Sequence, residues 1–323
     1  MTMKYRKLGR SGVQVSELCL GTMNFGPRTS EADSLQILSR AVDAGINFID
    51  TANQYGGHLG VGTSETIIGK WLAQNRARRN DLVIASKVHQ PMSADINDRG
   101  LSARHIRAAC EASLRRLGTD HIDLYQLHHL DRAVPVDEIC QAIQLLVAQG
   151  KITYFGTSNF PGWAIAQLGE LFRAVHAPGP VAEQSLYNLL ERRIELEVIP
   201  AAREYGLGVI PWSPLAGGLL AGPGNAAEGR RHSPQSIAAR RKHAPQLDAF
   251  EALCLELGHD PAAAALGWLL TRPQVAAVII GPASPEQLGA ALRVPDLVLD
   301  EATLARLDTI FPPQGEAPEA YAW

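Results

Sequence analysis

Eight short apolar runs with strand character recur along the chain, and most of the gaps between them hold a segment with helical periodicity. The runs are ELCLGTM, INFIDTA, DLVIASKV, IDLYQLH, ITYFGTS, VAEQSLYN, GVIPWSP and VAAVIIG. Between them lie patterns such as EADSLQILSRAVDAG, SARHIRAACEASLRRLG and PVDEICQAIQLLVAQG, the first opened by the capping pair Ser30 and Asp33 and several closed by glycine. Strands separated by whole helices cannot pair as hairpins, so the alternation demands parallel strands joined by crossovers. Eight such units in 323 residues match the arithmetic of an α/β (β/α)8 TIM barrel. The expectation is one barrel domain over residues 1–323, and 46% apolar residues supply enough material for a continuous core.

The competing architecture, a doubly wound sheet, would carry GxGxxG after its first strand to cradle a dinucleotide. That fingerprint is missing. The nearest string, Gly60-Val61-Gly62-Thr63-Ser64-Glu65, lacks the third glycine and follows a loop, so it reads as a flexible connection. Three segments exceed the barrel plan. MKYRKLGRSGVQVSEL reads as an N-terminal β-hairpin turning at Gly9 to Gly12, a plug for the barrel's bottom. After strand seven, a glycine-rich and then basic stretch, LAGGLLAGPGNAAEGRRHSPQSIAARRKHAPQ, is too long for an ordinary connection and reads as a lid loop or a cofactor clamp. The tail FPPQGEAPEAYAW ends in Tyr321 and Trp323, aromatic groups expected to need a docking surface.

A formal charge of -3 gives no global positive field for nucleic acid or an anionic membrane. A small molecule is the expected partner. Cys19, Cys110, Cys140 and Cys254 show no metal-binding spacing and read as reduced, mostly buried thiols. The N-terminus lacks a signal-peptide core and no run reaches membrane-spanning length, so a cytoplasmic location is expected.

Barrel enzymes work at the carboxyl ends of their strands. There, strand two ends in Asp50 with Tyr55 in the next loop, strand three in Lys87 and strand four in His128. Singly, each has a structural reading: a loop cap, a lysine reaching outward, a core histidine. Consecutive strands nevertheless bring all four to one corner of the mouth. A phenol titrates near about 10 and is a poor acid at neutral pH, but an adjacent ammonium lowers that value. Lys87 is the available ammonium and Asp50 its counter-charge, which a buried lysine needs. His128 would then donate a hydrogen bond to a carbonyl oxygen while Tyr55 delivers a proton, chemistry that lacks only a hydride. Metal binding by His128 and His129 is not expected, because neighbours along a strand point to opposite faces.

The strings LGTMNFG, GINFIDTANQYG, ASKV, LGTDHIDLYQLHH, GKITYFGTSNF, EQSLYNLL, PWSPLAGGLL and VIIGPASPEQL, in this order, resemble the aldo-keto reductase superfamily through nearly the whole chain. The resemblance implies a (β/α)8 barrel that binds an extended nicotinamide dinucleotide, with Asp50, Tyr55, Lys87 and His128 as the catalytic tetrad. It further implies cofactor contacts from Gly21, Thr22, Met23 and Asp50, from Ser158, Asn159 and Gln184 at the carboxamide, and from Trp212 stacked on the nicotinamide. Ser213, Pro214, Leu215 and Gly217 would lie near the pyrophosphate, and Gly281, Ser284 and Gln287 near the adenosine. Phe25, Tyr55, His89, His128, His129 and Trp163, together with the lid, would select the substrate.

Many relatives place Arg or Lys soon after the glycine ending strand eight, to pair with the 2′-phosphate of NADPH. This chain has Pro282, Ala283 and Ser284. The preference for NADPH, the cofactor the resemblance implies, is therefore weakened and NADH is left open, and Ser284, Gln287, Arg231 or Arg240 are the groups that could compensate. Within the superfamily the loops resemble the branch of potassium-channel β-subunits and bacterial reductases that tailor deoxysugars or polyketide side chains, such as the mithramycin side-chain ketoreductase. The expected function is NAD(P)H-dependent reduction of a ketone or aldehyde, with a nucleotide-sensing regulatory subunit as the alternative and a homo-oligomer as the expected assembly.

Overall fold

The computed structural model describes residues 3–222 and 234–322. An antiparallel hairpin of β1 (Tyr5–Lys7) and β2 (Gln14–Ser16) precedes eight parallel strands: β3 (Leu18–Gly21), β4 (Phe48–Asp50), β5 (Val83–Val88), β6 (Ile122–Leu127), β7 (Ile152–Ser158), β8 (Ala182–Leu186), β9 (Gly208–Trp212) and β10 (Val278–Ile280). Strand order follows the chain from β3 to β9, and β10 pairs with β3. Beside β9, Val209 N–H donates to Gln274 O at 2.8 Å and Ala276 N–H to Val209 O at 2.9 Å. These bonds bring the lead-in to β10 against β9, so the sheet curls into a nearly closed barrel with few unpaired edges.

Helices α1 (Glu31–Asp43), α2 (Thr63–Gln74), α3 (Ala103–Leu117), α4 (Val136–Ala148), α5 (Gly162–Ala174) and α6 (Val198–Tyr205) form the crossovers between β3 and β9. After β9 come α7 (Pro234–Lys242), α8 (Ala244–Leu257) and α9 (Pro261–Leu270), and after β10 come α10 (Pro285–Ala291), α11 (Glu301–Ile310) and α12 (Glu319–Ala322). Ser30 caps α1 as its sequence suggests, accepting from Asp33 N–H at 3.1 Å and donating to its carboxylate at 2.7 Å.

Alternation along the strands sorts side chains into two cores. Outward residues such as Leu20, Ile49, Ile84 and Tyr125 pack under the helices. Inward residues Cys19, Phe48, Ala85, Leu124, Ala182 and Ile210 fill the barrel, and Leu8 and Val15 of the hairpin join them. Leu8 and Val15 are fully buried, so the hairpin closes the floor as a plug. Of the long stretch after β9, residues 223–233 with Arg231 lie outside the described residues, while 234–242 form α7. The tail differs from expectation: Glu316 pairs with Arg203 and Ala317 N–H bonds Leu196 O, which leaves Tyr321 74% exposed. Trp323 lies outside the described residues. All four cysteines are buried and free.

Candidate active site

Above the apolar barrel core, the next inward layer is polar. Pairing register sets it: Gly21 lies beside Asp50, Lys87 beside Gln126, Ser158 beside Gln184 and Leu186 beside Trp212. Lys87, fully buried, has its three ammonium donors engaged, with Asp50 Oδ2 at 2.6 Å, Thr51 O at 2.8 Å and Tyr55 Oη at 3.3 Å. The other oxygen of Asp50 accepts from Gln126 Nε2 at 3.0 Å and Gln184 Nε2 at 2.8 Å. A buried carboxylate is thus neutralised on one side and hydrogen-bonded on the other, which a charge out of water requires. The structure brings Asp50, Tyr55, Lys87 and His128 into one group, the Tyr55 and His128 rings meeting edge-on at 6.1 Å.

The electrostatics of the phenol depart from expectation. Lys87 does pull the Tyr55 pKa down, but burial pushes it up more strongly and Asp50 adds to the rise, so the net direction is upward. Tyr55 therefore holds its proton through neutral pH. Lys87 is raised as well: burial opposes its charge, yet attraction to Asp50 and Tyr55 outweighs that penalty. Burial first, then Lys87, His129 and His89, press His128 down to about 2, so its imidazole is neutral and donates from one nitrogen.

The second histidine is a correction. His128 and His129 stack, with ring centroids 4.9 Å apart and planes 9° from parallel. Opposite faces hold only while a strand continues, and β6 stops at Leu127. His89 meets His129 edge-on at 5.3 Å. Among the described residues, no group of three or more histidine, cysteine or acidic side chains is arranged to hold a metal. Phe25 is the other correction: it is fully buried in the outer core rather than on the mouth. Its loop folds back, Phe25 N–H bonding Thr22 O and Gly26 N–H bonding Thr29 O, and the ring packs into the core under the helices. Trp163 is half exposed, with the Arg132 guanidinium over its ring at 5.4 Å.

Beyond the group, Asn159 joins three strands. It sits at φ +58°, a left-handed conformation uncommon outside glycine. Its amide donates to His128 O at 3.1 Å and Ser158 Oγ at 3.0 Å, and its oxygen accepts Trp212 Nε1–H at 3.0 Å. Ser213 and Ala216, at φ 52° and 49°, are two more left-handed residues in the turn after β9. Such strain collects where surroundings over-determine the backbone, often at functional sites. A cleft of about 560 Å³ adjoins Asn159, Ser185 and Leu186, with Arg132 and Tyr321 among its walls. None of Asp50, Tyr55, Lys87 and His128 lines it.

Residues 17–311 match the model of the aldo/keto reductase family. The chain belongs to that family. It is 48% identical to an uncharacterized oxidoreductase of Bacillus subtilis (YrpG), an alignment covering 99% of this chain and 100% of that one. It is 30% identical to a probable voltage-gated potassium channel β-subunit of Oryza sativa, covering 99% and 100%. A versiconal hemiacetal acetate reductase of Aspergillus parasiticus is 33% identical, covering 84% of this chain and 86% of that one.

Aldo/keto reductases use nicotinamide cofactors, and the residues along this rim fit one. Gly217 has φ +67° and nothing within 4 Å of where a Cβ would stand, and at Gly281 only Asn24 Nδ2 comes that close, at 3.7 Å. Backbone so open admits a ligand to close range. Met23 is nearly half exposed at the same rim, whereas Gly21 and Thr22 are buried, Thr22 donating through N–H and Oγ1 to Asp50 O, each at 3.0 Å. Pro214 is buried and Leu215 partly so. Other expected contacts are engaged internally: Gln184 with Asp50, Ser284 and Gln287 with the turn that opens α10, and Arg240 with Asp248 and Glu251. Gln126 was not singled out from the sequence. Its signal was available, since a lone amide inside an apolar strand, two residues before His128, faces the same way.

Proposed function

We propose that this aldo/keto reductase reduces the carbonyl of a small ketone or aldehyde to an alcohol, with Tyr55 as general acid. The observation that carries the reading is the Lys87 ammonium held between Asp50 Oδ2 at 2.6 Å and Tyr55 Oη at 3.3 Å. A reduced nicotinamide, NADPH or NADH, would supply the hydride when bound. His128, neutral, donates a hydrogen bond that orients the substrate oxygen. Tyr55 passes its proton to that oxygen as negative charge develops there, and Lys87 stabilises the phenolate left behind. Asp50 keeps the ammonium charged, and Gln126 and Gln184 keep Asp50 in place. Trp212, held by Asn159, offers a flat apolar face for the nicotinamide, and His89 and Trp163 border the substrate. The substrate class we infer is a secondary-metabolite carbonyl, such as a polyketide side chain or a deoxysugar, and the relative named for reducing versiconal hemiacetal acetate supports action on a small organic molecule. No Arg or Lys stands among residues 282–292, directly after Gly281, which supports use of both dinucleotides.

Tyr55→Phe keeps the ring and removes the acidic proton. In a test with a reactive diketone, followed by loss of reduced-nicotinamide absorbance, it should lower kcat by about 10²-fold or more. Equal rates for both proteins would remove Tyr55 from the chemistry. The channel β-subunit relative supports a second reading, a nucleotide-sensing subunit. That reading requires tight cofactor retention with no turnover in either protein.

A further inference from the structure

We propose that His129 is a positioning residue for this reduction, its stacked ring setting the plane in which His128 presents an N–H to the substrate oxygen. The inference rests on the reductase reading. A histidine that must donate from one nitrogen is ordinarily oriented by a hydrogen bond at the other, which fixes both tautomer and ring plane. His128 lacks that device: its Nδ1 is buried and has no hydrogen-bond partner among the described residues. Its backbone is held, N–H to Val88 O at 2.9 Å and O from Asn159 Nδ2 at 3.1 Å. Those bonds leave the side-chain torsions unset, and the outer torsion of histidine is broad.

Ring contacts do the setting. The Tyr55 ring lies edge-on at 6.1 Å and 77°, and His129 covers a face of His128 at 4.9 Å and 9°. His89, edge-on to His129 at 5.3 Å and 67°, stops the outer ring from turning away. A lone pair is cheaper to leave unpaired in the interior than an N–H, so the unpartnered Nδ1 carries the lone pair and Nε2 the proton. Flat stacking also suits neutral rings. Burial lowers the pKa of His129, and its neighbour His89 lowers it further.

The test uses His129→Ala, which removes the stacked ring, and His129→Phe, which restores one with no ionisable group. Steady-state kinetics on a reactive diketone is read beside ¹⁵N spectra of the His128 ring in the cofactor-free protein. The expected result for alanine is a fall in kcat of about 10–100-fold, with KM for the carbonyl changed little and the two ring nitrogens averaging between tautomers. Phenylalanine should restore most of kcat and the single Nε2–H signal. A raised KM with unchanged kcat in His129→Ala would overturn the proposal and leave His129 as a substrate contact. So would a single sharp tautomer in that variant. If the wild type shows no turnover, the reductase reading fails, whereas the nitrogen spectra still decide whether His129 sets the ring.

Discussion

At the scale of single residues, the polar layer of the barrel is a study in how burial sets protonation. Lys87 and Tyr55 both keep their protons, one through its anion and the other through desolvation. On the outer face of β8, Glu183 has the opposite problem. It is fully buried, one oxygen accepting from Ser185 Oγ at 2.7 Å and Phe160 N–H at 3.2 Å, the other with no hydrogen-bond partner among the described residues. Burial raises its carboxyl to about 7, against the downward pull of those hydrogen bonds. A carboxyl whose pKa is higher folded than unfolded binds its proton more tightly in the native state. Its contribution is fully present below the unfolded value and is lost as pH rises through the folded one. Between about pH 4.5 and 7 the wild type should therefore lose up to roughly 3 kcal/mol relative to Glu183→Gln. Thermal melts across that window check it, and parallel curves would show that Glu183 is not the titrating group. Asp50, Tyr55, Lys87 and His128 were legible in sequence because each is a polar residue at, or just after, the end of an apolar run. The net direction of the Tyr55 shift was not, since it turns on how much water the fold removes. Nor was the His128–His129 stack, which depends on where β6 stops.

At the scale of elements, the eight strands were legible because apolar runs bounded by turn residues and separated by helical patterns leave few alternatives. The hairpin plug was legible too. What remained hidden was the loop after β3, where Phe25 turns into the outer core because backbone bonds fold the loop onto itself. The engagement of Ser284 and Gln287 with their own turn was hidden for the same reason: local hydrogen bonds compete for side chains that composition leaves available. The plug carries a prediction of its own. Leu8 is fully buried in the inner core with Phe48, Ala85 and Ile210, at the end of the barrel opposite Tyr55. Leu8→Ala should cost about 2–5 kcal/mol through lost contacts and a cavity, read as a lower melting temperature, while kcat/KM for a test carbonyl stays at the wild-type value. A matching loss of kcat/KM would mean that the floor and the mouth are coupled.

At the scale of the whole molecule, the alternation of strands and helices dictates the barrel. The barrel in turn gathers Asp50, Lys87, Gln126, Ser158 and Gln184 from five strands, β4 to β8, at one mouth. Among the described residues, no helix is long and apolar enough to cross a membrane. Substrate choice was the least legible property. The loops after the strands and the tail, whose Tyr321 is exposed at a cleft, follow no repeating pattern from which a substrate could be read. The most direct measurement is the fate of deuterium placed at both positions of C4 of the reduced nicotinamide during turnover of a diketone, read by mass spectrometry of the alcohol. Direct reduction predicts one deuterium on the carbinol carbon with wild type, at a rate that Tyr55→Phe lowers by about 10²-fold or more. Cofactor held by the protein with no deuterium in any product would contradict it.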